Sequence, residues 1–468
     1  MGSMFTGALV MVGFGSVGQA VLPLLLRELS IPPKRVTVVK TGPDRSGIAR
    51  TLGAQVIGRA LDPGNFEAVL EPLLAEGDLL LNVSVDVSSL ALIALCRRRG
   101  ALYLDTCNEP WPGRYDNPAL SASLRSNYAL REEALSFRNE HCAGPTALIT
   151  HGANPGLVSS LLKQALLEMA AQSGLHVGKP CRREEWGALA RRLQIRAIHV
   201  AERDTQESAR RKARGEFVNT WSIEAFIDEG LQPSELGWGS HERHWPADAA
   251  RHGFGTDSAI YLDRPGFATR VRSWTPLQGP YHGFLVTHSE SISIADYLTL
   301  RDSTGAVTYR PTVHYAYHPC DDAILSVHEL AGDEWAVQRR SRAMRDEIAS
   351  GVDELGVLLM GNEAGVYWYG SRLSIQEARE LVAYNNATSL QVAAGILGAI
   401  EWALHNPRAG VVEPEEIDHD IVLQAARPYL GQVVGVWSDW TPLRGRTALY
   451  PEAVDRDDPW QFLNIRVV

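Results

Sequence analysis

Gly13-Phe14-Gly15-Ser16-Val17-Gly18 stands directly after an apolar run at residues 8–12 and opens an apolar, helix-periodic stretch at 17–29. A G-x-G-x-x-G in that strand–turn–helix setting leaves a chain few architectures to choose from. Gly13 permits the tight turn, Gly15 lets the backbone approach a pyrophosphate, and Gly18 allows the helix to pack closely on the strand. Ser16 and Val17 occupy the first helical turn, whose unpaired N–H groups and positive dipole end suit phosphate.

The pattern that follows agrees with the motif. Residues 36–39, 79–83 and 101–104 are continuous apolar runs alternating with helical stretches, the signature of parallel strands buried on both faces. The predicted fold class is therefore α/β: a Rossmann-like, doubly wound parallel sheet over residues 1–150. At 468 residues the chain exceeds one core. Residues 151–384 read as a second, α+β domain on a mixed or antiparallel sheet, with alternating strands at 195–200, 269–274 and 307–314. The apolar helical stretch 389–404 suggests that C-terminal helices within 385–468 return to complete the first domain. Trp- and His-rich loops between 238 and 288 read as cover for a site.

At the end of the second strand, where an acid would bind a ribose, the chain reads Lys40-Thr41-Gly42-Pro43-Asp44-Arg45. Lys40 or Arg45 would suit a 2′-phosphate and Thr41 a plain ribose, so these residues leave NAD and NADP both open.

Composition removes other classes. Lys plus Arg number 45 against 55 Asp plus Glu, a net charge of −10, and no basic run is interleaved with aromatics, so nucleic acid is not an expected partner. Cys96, Cys107, Cys142, Cys181 and Cys320 lack metal-site or disulfide spacing, which points to a reducing cytoplasm and no metal. There is no H-E-x-x-H and no G-x-S-x-G. The stretch 389–404 falls short of a membrane span and the N-terminus lacks signal-peptide character, so a membrane location is not expected.

Polar residues cluster where the apolar runs end, and ligands of open α/β sheets bind beyond those carboxyl ends. Ser84 and Asp86 follow one run, Thr106 and Glu109 another, and Asn154 lies in His151-Gly152-Ala153-Asn154-Pro155-Gly156. Asp86 and Glu109 either face a nicotinamide or cap the next helix, and Asn154 either orients a ligand or caps its own helix. In the second domain, Glu202 ends a predicted strand, Trp221 precedes a helix carrying Glu229, and His288 ends an apolar run. Trp221, Glu202 and Glu229 would suit a cation, through π-face and charge; they would equally suit a core residue and a solvated face. His288 is a candidate general base or a satisfied structural histidine.

Together the glycine motif, Val85-Asp86, Asp105-Thr106-Cys107-Asn108-Glu109-Pro110-Trp111, Thr150-His151-Gly152-Ala153-Asn154-Pro155-Gly156 and Asn219-Thr220-Trp221 resemble the bacterial homospermidine synthases across nearly the whole chain. The first portion alone also resembles the related saccharopine dehydrogenase-type enzymes. The resemblance implies tightly held NAD, a homodimer, and diamine substrates: two putrescines give sym-homospermidine and ammonia through imines, with the nicotinamide recycled. It further implies that Trp221 and Glu229 hold the cationic amines, that Glu202 and Asp86 are additional acidic site positions, and that Asn154, Glu109 and His288 surround the reacting centre. The rival expectation is an imine reductase of the saccharopine or carboxynorspermidine kind, whose carboxylate-bearing substrates call for Arg or Lys in the pocket.

Overall fold

The computed structural model describes residues 5–42, 47–115, 117–141, 143–446 and 449–467; Asp44, Arg45 and Cys142 lie outside them. The four apolar runs form β1 (Leu9–Val12), β2 (Val36–Lys40), β4 (Leu79–Asn82) and β5 (Leu102–Asp105), and the sheet also holds β3 (Gln55–Gly58) and β6 (Gly144–Leu148). All pair in parallel, in the order β3-β2-β1-β4-β5-β6, with Ala409–Val412 added beyond β6. Chain direction across the sheet reverses between β1 and β4, which opens a crevice at their carboxyl ends. Helix α1 (Ser16–Glu28) packs on one face and Ser89–Arg99 on the other.

The second sheet is mixed and has eleven strands among the described residues. At its centre β7 (Ala197–Asp204) runs parallel to Thr312–His318 and antiparallel to Val352–Met360. Alternation puts Val200 and Glu202 on the face toward the first domain, and the parallel register sets Tyr315 beside Val200 and Tyr317 beside Glu202. Between the sheets lies the largest core, into which Ala387–His405 inserts against α1. That helix is 19 residues long, longer than expected from sequence, and meets the length and apolarity of a membrane span. Yet 89% of its most apolar window is buried inside the protein, so its apolarity is that of a core helix.

Three expectations need correction. The predicted strand 307–314 is two, Val307–Tyr309 and Thr312–His318, because Pro311 offers no N–H to continue the ladder. The C-terminal segment returns only in part to the first sheet: Ala409–Val412 joins it, whereas Gln432–Ser438 and Arg466–Val467 pair in the second. Of the Trp- and His-rich stretch 238–288 only its far end, His288, lines the cavity between the two domains among the described residues. Trp238, just past the strand Pro233–Gly237, packs on Phe462 in the core behind the second sheet, on the same side as Leu236 two residues earlier, and touches the half-exposed Trp245.

A buried ion cluster ties the pieces together. Arg131, on Asn127–Glu140, donates to Glu413 at 2.6 and 2.8 Å and to Asp296, on Ser289–Tyr297, at 2.9 Å.

Candidate functional site

The glycine loop is shaped by what each position must avoid. Gly13 has φ +91°, and a Cβ there would stand 2.6 Å from the Val83 carbonyl oxygen, so the β1 turn is pressed against the β4 turn. A Cβ on Gly18 would meet the Gly13 oxygen at 3.1 Å, which keeps α1 close. Gly15 differs: its φ is −75°, and nothing lies within 4 Å of where its Cβ would be. It is the N-cap of α1, without a side-chain cap, so the first-turn N–H groups and the bare Cα face open space fit for a pyrophosphate. Thr41 is exposed just past β2.

Beyond the carboxyl ends of β4, β5 and β6 a cavity of about 110 Å³ lies between the two domains. It gathers Val17, Ser84, Thr106, Glu109 and Asn154 from the first domain and its edge, with Glu202, Trp221, Glu229 and His288 from the second. Of the other sequence candidates, Gly13, Gly15, Ser16 and Gly18 form the adjoining loop, and Asp86 is exposed at the rim, its backbone N–H 3.4 Å from Glu109 Oε2. The capping alternatives fall away for two residues. Ser88 caps the helix after Asp86, and Asn154 donates through Nδ2 to Glu202 Oε2 at 3.2 Å.

Electrostatics divide the cavity into two proton-holding groups. Glu202, buried inside β7 two residues before its end, accepts from the Tyr315 hydroxyl at 2.5 Å, and desolvation pushes it up to about 8 despite that bond. Glu109 is likewise pushed up to about 8, first by desolvation and then by neighbouring carboxylates including Asp228 and Asp86. His288 is the other kind of group. It stands as the N-cap residue of Ser289–Tyr297, not at a strand end, with Nε2 3.1 Å from Glu229 Oε2 and Nδ1 3.1 Å from Glu290 Oε1. Burial alone would strip its proton, but the charges of Glu290 and Glu229 and their hydrogen bonds outweigh this and hold its pKa well above the ordinary value. Both ring nitrogens of His288 are thus held by carboxylates.

Trp221 follows Glu216–Asn219 and precedes Ile223–Leu231, the helix that carries Glu229. Ser222 caps that helix, so indole and carboxylate are set by one short turn. Sequence reasoning missed Tyr315, Thr388 and Val392 on the cavity wall and Glu290 behind His288. The alternation Tyr315-Ala316-Tyr317 was a readable sign that both tyrosines share a face; which face meets the cavity was not readable.

Residues 9–148 match the saccharopine dehydrogenase NADP binding domain and residues 152–436 the saccharopine dehydrogenase C-terminal domain. The homospermidine synthase of Blastochloris viridis is 49% identical over 469 residues, covering 98% of this chain and 97% of that protein. That of Mesorhizobium japonicum is 46% identical over 468 residues, covering 99% and 96%. The crystal structure of the Legionella pneumophila homospermidine synthase in complex with NAD superposes with a TM-score of 0.94 at 50% identity, covering 100% of this chain and 99% of that one.

Proposed function

The chain belongs to the homospermidine synthase family, and on that premise we propose that it joins two molecules of putrescine into sym-homospermidine with release of ammonia, using NAD. One observation carries the reading: the carboxyl groups on the cavity wall are Glu109, Glu202 and Glu229, beside an indole and a phenol, and no Lys or Arg lines it among the described residues. Such a wall offers ammonium groups acceptors and π faces, and offers a carboxylate-bearing substrate no ammonium or guanidinium partner.

The open Gly15 backbone and the uncapped start of α1 would hold the pyrophosphate of NAD, with Ser84, Thr106 and Asn154 at its nicotinamide end. NAD held there would supply a hydride acceptor for the first amine and, once reduced, the hydride donor for the coupled imine, and would so be recycled and not consumed. Oxidation at a carbon beside nitrogen requires the amine to be neutral, so a side chain must take an ammonium proton. Glu202 and Glu109, both pushed up to about 8, can take that proton in their ionised form, whose share grows as pH rises toward 8. Glu229 pairs with the ammonium and, through its bond to His288, fixes where that charge sits. The face of Trp221 supports positive charge building on the reacting carbon–nitrogen pair, a contribution of roughly 0.5–2 kcal/mol where water is excluded.

The same reading makes the enzyme a cytoplasmic homodimer, in keeping with the free thiols of Cys96, Cys107, Cys181 and Cys320. The test is to incubate the protein with putrescine and catalytic NAD without another reductant. Homospermidine accumulates if the reading is right; product that forms only with NADPH and an oxo acid would establish the imine reductase instead.

A further inference from the structure

Tyr317 has no part in the chemistry above, yet it holds the residue on which that chemistry leans. The indole N–H of Trp221 donates to its hydroxyl oxygen at 3.1 Å. Its ring is fully buried and stacks on Tyr315, centroids 5.0 Å apart and planes 9° from parallel. Tyr315 in turn donates to Glu202 and lies 4.4 Å from the His288 ring. Phe226 packs on both Trp221 and Tyr317, at 5.7 and 5.6 Å.

Trp221 sits in a turn, is only half-buried, and its ring torsion is a broad one that packing alone defines poorly. The indole has a single polar atom, so one hydrogen bond selects which way its face points. The acceptor is carried by Thr312–His318, an interior strand of the second sheet paired in register with β7, which bears Glu202. Indole and carboxyl are thereby referred to the same rigid frame.

We propose that Tyr317 is a positioning residue: its hydroxyl sets the rotation of the Trp221 indole in the cavity, and its stack on Tyr315 fixes that rotation relative to Glu202. The proposal rests on the reading that Trp221 faces the diamine.

The test is a double-mutant cycle in the full-length protein at saturating NAD: wild type, Tyr317→Phe, Trp221→Phe and the pair. Phe keeps a ring at position 221 but has no N–H to place. Removing the acceptor frees the half-buried indole to turn away from its set rotation, so Tyr317→Phe should lower kcat/KM for putrescine roughly tenfold in the wild-type background. In the Trp221→Phe background the same change should cost less than about twofold, since nothing remains for Tyr317 to orient. NAD affinity and the thermal midpoint, read on all four proteins, should follow no such pattern. An equal loss in both backgrounds would make Tyr317 a core residue acting through stability, and no loss in either would remove it from the site; both overturn the proposal. Full activity in Trp221→Phe would overturn the role of the indole itself, and that of Tyr317 with it.

Discussion

Adding one methyl group at each of two glycines separates the fold from the cofactor. At Gly15 the backbone (φ −75°) accepts any residue and the new Cβ meets no protein atom within 4 Å. Alanine is a poorer N-cap than glycine by roughly 0.5–1 kcal/mol, and its smaller unfolded-state entropy offsets about as much, so Gly15→Ala should leave the thermal midpoint nearly unchanged. The methyl group nevertheless occupies the space through which the pyrophosphate approaches. Overpacking of about 1–3 kcal/mol corresponds to NAD binding roughly 5- to 150-fold weaker. Gly13→Ala should do the reverse to stability. Its φ of +91° and the 2.6 Å approach to Val83 O together cost about 2–5 kcal/mol, from left-handed strain and overlap with backbone that cannot yield. At roughly 2–4 °C per kcal/mol, the first thermal transition falls by about 4–20 °C. Calorimetric NAD titration and thermal scans of both variants are the assay. If Gly15→Ala binds NAD like the wild type, or unfolds as early as Gly13→Ala, the assignment of the loop is wrong.

A pH series should isolate Glu202. Its folded pKa of about 8 lies above the ordinary value of 4.5, so between those values the native state binds the extra proton and stability drains away as pH rises through the window. The midpoint of Glu202→Gln relative to wild type should therefore climb from pH 5 to pH 8, and parallel curves would show that Glu202 is not buried in this way. Arg131→Ala strands Glu413 and Asp296, buried partners at 2.6–2.9 Å. It should cost roughly 3–5 kcal/mol in denaturant unfolding, and a loss under about 1 kcal/mol would mean the cluster is solvated.

The dinucleotide-binding half was legible because its determinants are local. Gly13, Gly15 and Gly18 act within six residues, and β1, β2, β4 and β5 announce themselves as short apolar runs whose register needs no distant partner to be guessed. The candidate site was legible as residue types at the ends of such runs and through family resemblance. Residue type did not say what each group would meet. His288 reads as a lone histidine until Glu229 and Glu290 are found on its two nitrogens, where their charges raise its pKa. The density of tryptophan around Trp238 misled, because indoles serve cores as readily as sites, and this one lies with Leu236 in the core on the far side of the second sheet.

From its order of residues alone this chain could be known to bind a dinucleotide on a parallel sheet and to carry acids and an indole suited to a cation, because turn chemistry and hydrophobic period act over a few neighbours. Folding decided the rest. Glu109, Glu202 and Glu229 converge across two domains, and low dielectric at that meeting point pushes Glu109 and Glu202 up to about 8. Desolvation and charge coupling depend on distance in space, which separation along the chain does not encode.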